Sequence, residues 1–328
     1  MRRFVTKWLS GIGLMLELAA LALYHRKRLL VLSRFGGIGD IICTFPAVRE
    51  MMHRHPAVQV VYVTRQSFTP LVRRSGLGLP CVGVAQQVLL PAWAIAPFGR
   101  HIHMTHADED DQQVPPPAHV VQALGRTLGL GPLSGPSVLE VDPVEVERIR
   151  ARRPADKRGI ILLHTGPTWN VREWPLEAWT ELVARLQQHA PFQILQIAAD
   201  RSVSMDDASC LIIPGAEPVP CNDDITKLIH TVAAADLLIG IDSGPIHIAA
   251  AVNTPFISLF GPTDPARILP ESAQPWAVTH PIDCSFCHHR RPRGHWRTGC
   301  PKDIACMKGI SAQQVFEKSV ELLRATKS

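Results

Sequence analysis

The chain has 328 residues and 36.1 kDa, 46% of it hydrophobic and 19% charged, which excludes a disordered polymer and leaves room for about two domains. No long apolar run recurs along it, so a polytopic membrane protein is excluded, and eight cysteines are too few for a disulfide scaffold. The formal charge of +5 is local: residues 1–28 hold Arg2, Arg3, Lys7, Arg26, Lys27 and Arg28 against Glu17 alone, and the rest of the chain balances, which excludes a general nucleic-acid surface.

Residues 1–27 read as a leader. Trp8 to Tyr24 is apolar apart from Ser10, Gly11, Gly13 and Glu17. As a helix at ~1.5 Å per residue this run spans roughly 25 Å, short of the ~30 Å hydrocarbon core of a bilayer. Arg3, Lys7, Ser10 and Glu17 fall near one stripe, and basic clusters flank the run. This predicts an N-terminal apolar helix lying on an anionic membrane surface, peripheral or anchored. A cleaved signal peptide and a helix packed on the protein itself are the alternatives.

Leu29–Ser33 (LLVLS) is a continuous apolar run, the signature of a buried parallel strand. A glycine-rich turn follows at Phe35–Asp40, then a helix over Ile41–His53 with Pro46 early in it, a strand over Val58–Thr64 and a short helix over Phe68–Ser75. Residues 81–118 read as a surface loop region carrying His101, His103 and His106, the acidic run Asp108–Asp111 and Pro115–Pro117. A helix is expected over His119–Leu128. The charged stretch Pro143–Asp156 marks a boundary, dividing the chain into 28–153 and 154–328.

The second half restarts the alternation: strands at Gly159–His164, Phe192–Ala198, Leu211–Ile213, Leu237–Ile241 and Phe256–Phe260, and helices at Leu176–His189, Asp223–Ala235 and Pro245–Val252. Ser311–Gln314 is a capping box opening the last helix, with Ile310 and Val315 as its hydrophobic staple. The fold class is α/β, with two Rossmann-like domains whose parallel sheets face a central cleft. Ligands of such sheets sit at the carboxyl ends of the strands.

Three loops at strand ends carry chemistry. In the first, Gly37 and Gly39 let the backbone approach a ligand, and Asp40 is either a carboxylate aimed at it or a helix cap. In the second, His164 to Pro175, Thr165 and Gly166 precede Arg172, a charge-assisted donor for phosphate just ahead of a helix N-terminus; a Trp-anchored turn is the alternative. In the third, Asp242, Ser243 and Gly244 lead into a helix with Pro245 in its first turn and His247 close behind.

These loops, as RFGGIGDIICTFP (34–46), HTGPTWNVREWPLEAW (164–179) and DSGPIHIAAAVNTPFISLFGPTDP (242–265), together with CPKDIACMKGISAQQV (300–315), resemble the heptosyltransferase family, glycosyltransferase family 9. The resemblance implies a GT-B fold and transfer of a sugar, usually heptose from ADP-heptose, to a lipid-linked lipopolysaccharide-core acceptor at the cytoplasmic membrane face. It implies inversion at the anomeric centre without a catalytic metal or cofactor. By the same resemblance Asp40 is the general base. Arg172 stands where the family commonly has Lys and contacts the donor diphosphate; since charge is kept, Arg172→Lys is expected to be mild. Gly37, Gly39, Thr165, Gly166, Asp242, Ser243, Gly244 and His247 complete the substrate-binding set. The His101, His103 and His106 cluster reads as acceptor-side, with metal binding as the alternative. A nucleotide-sugar epimerase on this fold and a non-catalytic sugar-binding protein are the competing functions; the first lacks the extra acid/base groups it needs, and the second would not need Asp40.

Cys284, Cys287, Cys300 and Cys306 lie in the segment 284–306, which is rich in Arg, His, Pro and Gly. Four cysteines including one CxxC fit a structural zinc or iron site, with His288, His289 and His295 as spare ligands; free thiols or disulfides are the alternatives. Cys43, Cys81, Cys210 and Cys221 read as scattered core or loop residues.

Overall fold

A computed structural model describes residues 2–85, 95–104, 119–166, 169–198, 212–221, 224–290 and 299–326. The chain divides into two compact units, Met1–Glu140 and Val141–Ser328.

The first unit is built on four parallel strands: β1 (Leu29–Ser33), β2 (Gln59–Arg65), β3 (Cys81–Val84) and β4 (Gly99–His103), in the order β3-β2-β1-β4. All five β1 residues are buried, as a strand covered on both faces requires. Two of these strands lie where a surface loop was expected. β4 (GRHIH) has no apolar pattern to announce it; its place comes from backbone pairing with β1, in which Leu29 faces Gly99 and Ser33 faces His103. His106, the acidic run and the prolines lie outside the described residues.

The single helix expected over Ile41–His53 is two, Ile38–Ile42 and Phe45–Arg54. Pro46 has no N–H to give, and in a continuous helix its ring would strike the Ile42 carbonyl. Thr44 fills the break by donating its hydroxyl to the Ile41 carbonyl at 2.7 Å.

The N-terminal helix spans Arg2–His25. It falls within the first unit, where Leu14 and Leu18 are buried in one cluster with Val31, Val61, Val82 and Val84. Ile12, Leu16, Leu23 and Tyr24 are exposed on it. Among the described residues no helix is long and apolar enough to cross a membrane.

The second unit carries six parallel strands: β5 (Ile160–His164), β6 (Gln193–Ala198), β7 (Glu217–Pro220), β8 (Leu237–Ile241), β9 (Phe256–Phe260) and β10 (Ala277–Thr279), ordered β10-β9-β8-β5-β6-β7. The division falls ahead of the boundary expected at 153/154. The reason is that the Pro143–Arg150 helix packs on the Ile225–Ala234 helix, with Arg150 Nε donating to the Ala234 carbonyl and the Asp142 N–H donating to His230 Nε2. The strand expected at Leu211–Ile213 is replaced by β7. The Ile213 N–H goes to the Gln196 side chain instead of a ladder, and Leu211 lies outside the described residues. With two prolines, β7 is tolerated at the sheet edge, where a missing N–H costs least.

Helices Leu176–His189 and Ala312–Ala325 close one side of this sheet. Trp174 and Trp179 are fully buried edge to face, and Trp174 donates its indole N–H to the Ile310 carbonyl at 2.9 Å. The Ser311–Gln314 capping box is formed, and both staple residues, Ile310 and Val315, are buried.

Candidate functional site

In the first unit, chemistry gathers at the carboxyl end of β1. Asp40 occupies the third position of the Ile38–Ile42 helix, and its Oδ2 accepts the Gly37 N–H at 2.6 Å, closing the capping box. Its Oδ1 accepts from Arg34 Nη2 at 2.5 Å. Arg34 is buried, at 3% exposure, and its Nη1 donates to the Met104 carbonyl just past β4; the Asp40 side chain is 41% exposed. So Asp40 both caps the helix and is held, part-exposed, in one orientation by a fixed guanidinium. A Cβ at Gly36 would lie 2.4 Å from the Asp40 side chain, so only glycine allows the carboxylate to fold over the turn. Gly37 spends its N–H on Asp40, and the Gly39 carbonyl accepts the Cys43 N–H. Gly37 thus helps to seat the carboxylate, and Gly39 lies inside the short helix that carries it.

His101 and His103 stand on β4, not on a loop, and both reach Ser33 on β1: its Oγ lies 2.8 Å from His101 Nε2 and 2.8 Å from His103 Nδ1. One hydroxyl carries one proton, so at least one imidazole donates to it. Among the described residues no three His, Cys, Asp or Glu side chains are arranged to hold a metal ion.

In the second unit the two expected phosphate loops meet. Arg172 donates from Nη1 to the Asp242 carbonyl at 2.9 Å, places Nη2 3.3 Å from Asp242 Oδ2, and lies 4.0 Å above the Trp169 ring. Asp242, nearly fully buried, also accepts the Thr263 hydroxyl at 2.5 Å. Its carboxylate is thus a hub that fixes Arg172 and the turn after β9. A lysine has no fork to make both contacts with Asp242, so Arg172→Lys is not the mild change that charge alone implies. Ser243 caps the Gly244–Ala251 helix, and its buried Oγ has no hydrogen-bond partner among the described residues. His247 is half-buried in that helix's first turn. Thr165 is buried and accepts from Gln196 at 3.3 Å, and Gly166 follows it with φ +128°.

The sequence reading missed four partners of this site: Trp169, Thr263, Arg267 and His288. The His288 ring packs on Trp169 at 4.7 Å between centroids. Burial and then the charge of Arg172 push its pKa down to about 4; the nearby Asp242 opposes this and the buried Arg267 adds to it. Arg172 and Arg267 both bring positive charge to bear on His288, beside the start of the Gly244–Ala251 helix, and this corner is the candidate seat for an anion. His164, at the end of β5, is buried with neither ring nitrogen hydrogen-bonded among the described residues, and burial pushes its pKa down to about 4.

Cys284, Cys287, Cys300 and Cys306 form no disulfide with one another, and among the described residues no three His, Cys, Asp or Glu side chains make a ready ligand set. They do lie close enough to influence one another: burial, then Cys300, Cys287 and Cys284, push Cys306 up to about 11, and Cys287 rises through burial, Cys284 and Cys300. Of the spare ligands, His288 is engaged on Trp169, while the His289 side chain and His295 lie outside the described residues. Cys43 and Cys221 are buried, Cys81 is half-buried, and Cys210 is outside the described residues.

Two successive parallel α/β units, the second gathering Arg172, Asp242 and Thr263 at strand ends, define the class of the fold and its candidate site. The chain belongs to glycosyltransferase family 9 (heptosyltransferase), whose model matches residues 119–295. It is 29% identical over 148 residues to lipopolysaccharide heptosyltransferase 3 of Escherichia coli, covering 42% of each chain. To lipopolysaccharide heptosyltransferase 1 of Pseudomonas aeruginosa it is 32% identical over 108 residues, covering 32% of this chain and 29% of the relative. The chain thus spans less than half the length of the curated relatives it matches. In fold it is similar to E. coli ADP-heptose lipopolysaccharide heptosyltransferase II, with TM-score 0.64 and 15% identity over 92% of this chain and all of the other. It is likewise similar to the iron-containing dodecameric glycosyltransferase TibC of enterotoxigenic E. coli, with TM-score 0.66 and 19% identity over 92% and 80%.

Proposed function

We propose that this protein is an inverting glycosyltransferase that moves heptose from ADP-heptose to a lipid-linked lipopolysaccharide-core or related surface-glycan acceptor. The observation that carries the reading is the Arg172–Asp242–Thr263 cluster, with Arg267 and the Gly244–Ala251 helix start beside it, inside the segment the family model matches. In the reaction the acceptor oxygen bonds to the anomeric carbon from the face opposite ADP, the bond from that carbon to the β-phosphate oxygen breaks, and Asp40 takes the acceptor hydroxyl proton. ADP leaves with the bonding electrons, and Arg172, Arg267 and the positive end of the Gly244–Ala251 helix neutralise it. The donor choice is supported by the relatives' names and by a similar structure held in complex with ADP-D-beta-D-heptose. Incubating the full chain with ADP-heptose tests it: acceptor-dependent ADP release is expected and should persist with EDTA. Epimerised ADP-sugar without ADP release would replace the reading with the epimerase one, and binding without turnover would leave a sugar-binding protein.

The same proposal places the protein at the cytoplasmic membrane face, the N-terminal helix lying on anionic lipid. In support, Ile12, Leu16, Leu23 and Tyr24 are exposed apolar side chains and Arg26, Lys27 and Arg28 are exposed beyond them. Deleting the helix is a poor test, since Leu14 and Leu18 belong to the core. Leu16→Glu with Leu23→Glu should instead release the protein from phosphatidylglycerol vesicles. For the cysteines we propose one structural zinc or iron ion. An all-thiolate donor set suits either metal, and one similar structure is of an iron-containing protein. Cys284, Cys287, Cys300 and Cys306 would hold it. Near-stoichiometric metal on elemental analysis is the expected result.

A further inference from the structure

We infer that His288 is a donor-binding residue, carried to the anion seat by the cysteine-rich segment, and that its imidazole hydrogen-bonds a phosphate oxygen of the nucleoside diphosphate. This rests on the donor site proposed above and adds to it a residue and a means of control. The turn after β9 is the common part. Its Thr263 holds Asp242, which holds Arg172. The same turn is gripped by the cysteine-rich segment from two sides. The Phe286 N–H donates to the Gly261 carbonyl at 3.0 Å and the His288 N–H to the Pro262 carbonyl at 2.9 Å. At Gly261 a Cβ would lie 2.8 Å from Cys306 Sγ and 2.7 Å from Met307 Sδ, so only glycine lets the two pieces meet.

These bonds set where the His288 side chain goes. Phe286 takes a left-handed φ of +62°, a conformation that is strained for a non-glycine residue and persists only where its surroundings impose it. The chain then enters the short Cys287–Arg290 helix, and the imidazole comes to rest on Trp169, the same indole that carries Arg172. The Trp169 ring therefore contacts both a guanidinium and an imidazole, and that guanidinium is held by Asp242. The guanidinium supplies charge to a diphosphate, and the imidazole supplies a directed N–H. Cys287 precedes His288, and Cys306 touches Gly261, so whatever restrains the thiols also restrains the imidazole.

The test uses the full chain and ADP as the probe, with adenosine as the phosphate-free control. His288→Ala and His288→Phe should each weaken ADP about ten-fold, the loss of one hydrogen bond to a charged group, and leave adenosine binding unchanged. His288→Gln, which keeps an N–H donor, should recover most of the affinity. Cys287→Ser should weaken ADP in the wild-type background but add nothing to His288→Phe. Unchanged ADP affinity in a folded His288→Phe protein, alongside lost affinity in Arg172→Ala, would overturn this inference alone. Unchanged affinity in both would overturn the donor site itself. Additive losses for Cys287→Ser and His288→Phe would remove the cysteine-rich segment as the carrier.

Discussion

Each unit places an aspartate and an arginine at the end of a strand, and the two pairs are built in opposite senses. In the first unit the arginine is buried and the carboxylate is the part-exposed member: Arg34 is at 3% and the Asp40 side chain at 41%. In the second the carboxylate is the deeper member, Asp242 at 4% beneath Arg172 at 14%. The difference separates a carboxylate that can meet a substrate from one that serves as scaffold. Asp40 has an anchored partner and an open side, which fits the base role proposed for it. Asp242 is used up by Arg172 and Thr263, and what it presents outward is the guanidinium.

Exchanging each carboxylate for its amide breaks the comparison most directly. Asp40→Asn should slow transfer by ~10²–10⁴-fold, the usual worth of a general base, while ADP affinity holds. Steady-state turnover with acceptor and calorimetry with ADP read the two separately, and near-normal turnover would remove Asp40 as the base. Asp242→Asn should act in reverse order, on stability and donor binding first. Removing one partner of a buried pair costs about 3 kcal/mol, and the urea midpoint should fall accordingly, whereas Asp40→Asn should move it little.

Arg172→Lys sharpens the contrast at the other member of the buried pair. A lysine keeps the charge and loses both the fork to Asp242 and the flat stack on Trp169, so ADP should bind about ten-fold more weakly. Affinity equal to the wild type would show that charge alone matters there.

A further contrast is set by pH. His164 titrates near 4 in the folded second unit and at about 6.5 when unfolded. Between those values the unfolded chain binds more protons, so stability falls as pH drops from 6.5 toward 4, by about 3 kcal/mol at most. His164→Leu should flatten this slope, seen as a smaller loss of urea midpoint between pH 7 and pH 5. An identical slope in the variant would place the sensitivity elsewhere.

Much of this protein is legible in the chain itself, because it is local. LLVLS, IILLH, LLIGI and FISLF announce buried parallel strands by their continuous apolar runs, and the Ser311–Gln314 box marks the start of the last helix. The three glycine-bearing loops stand at strand ends, where such folds bind ligands, and Asp40, Arg172 and Asp242 could be named from them. The break at Pro46 was written there too, in a residue that cannot donate to a helix ladder. Only tertiary structure decided the rest. β4 and β7 are strands because a neighbouring backbone pairs with them, and backbone pairing needs no apolar pattern. Leu14 and Leu18 make the N-terminal helix part of a core, although the same residues also suit a membrane surface. Arg34 finds Asp40 across a folded turn, and His288 finds Trp169 from a distant segment, since a charge pair or a ring stack is specified by distance in space and leaves no periodic trace along the chain.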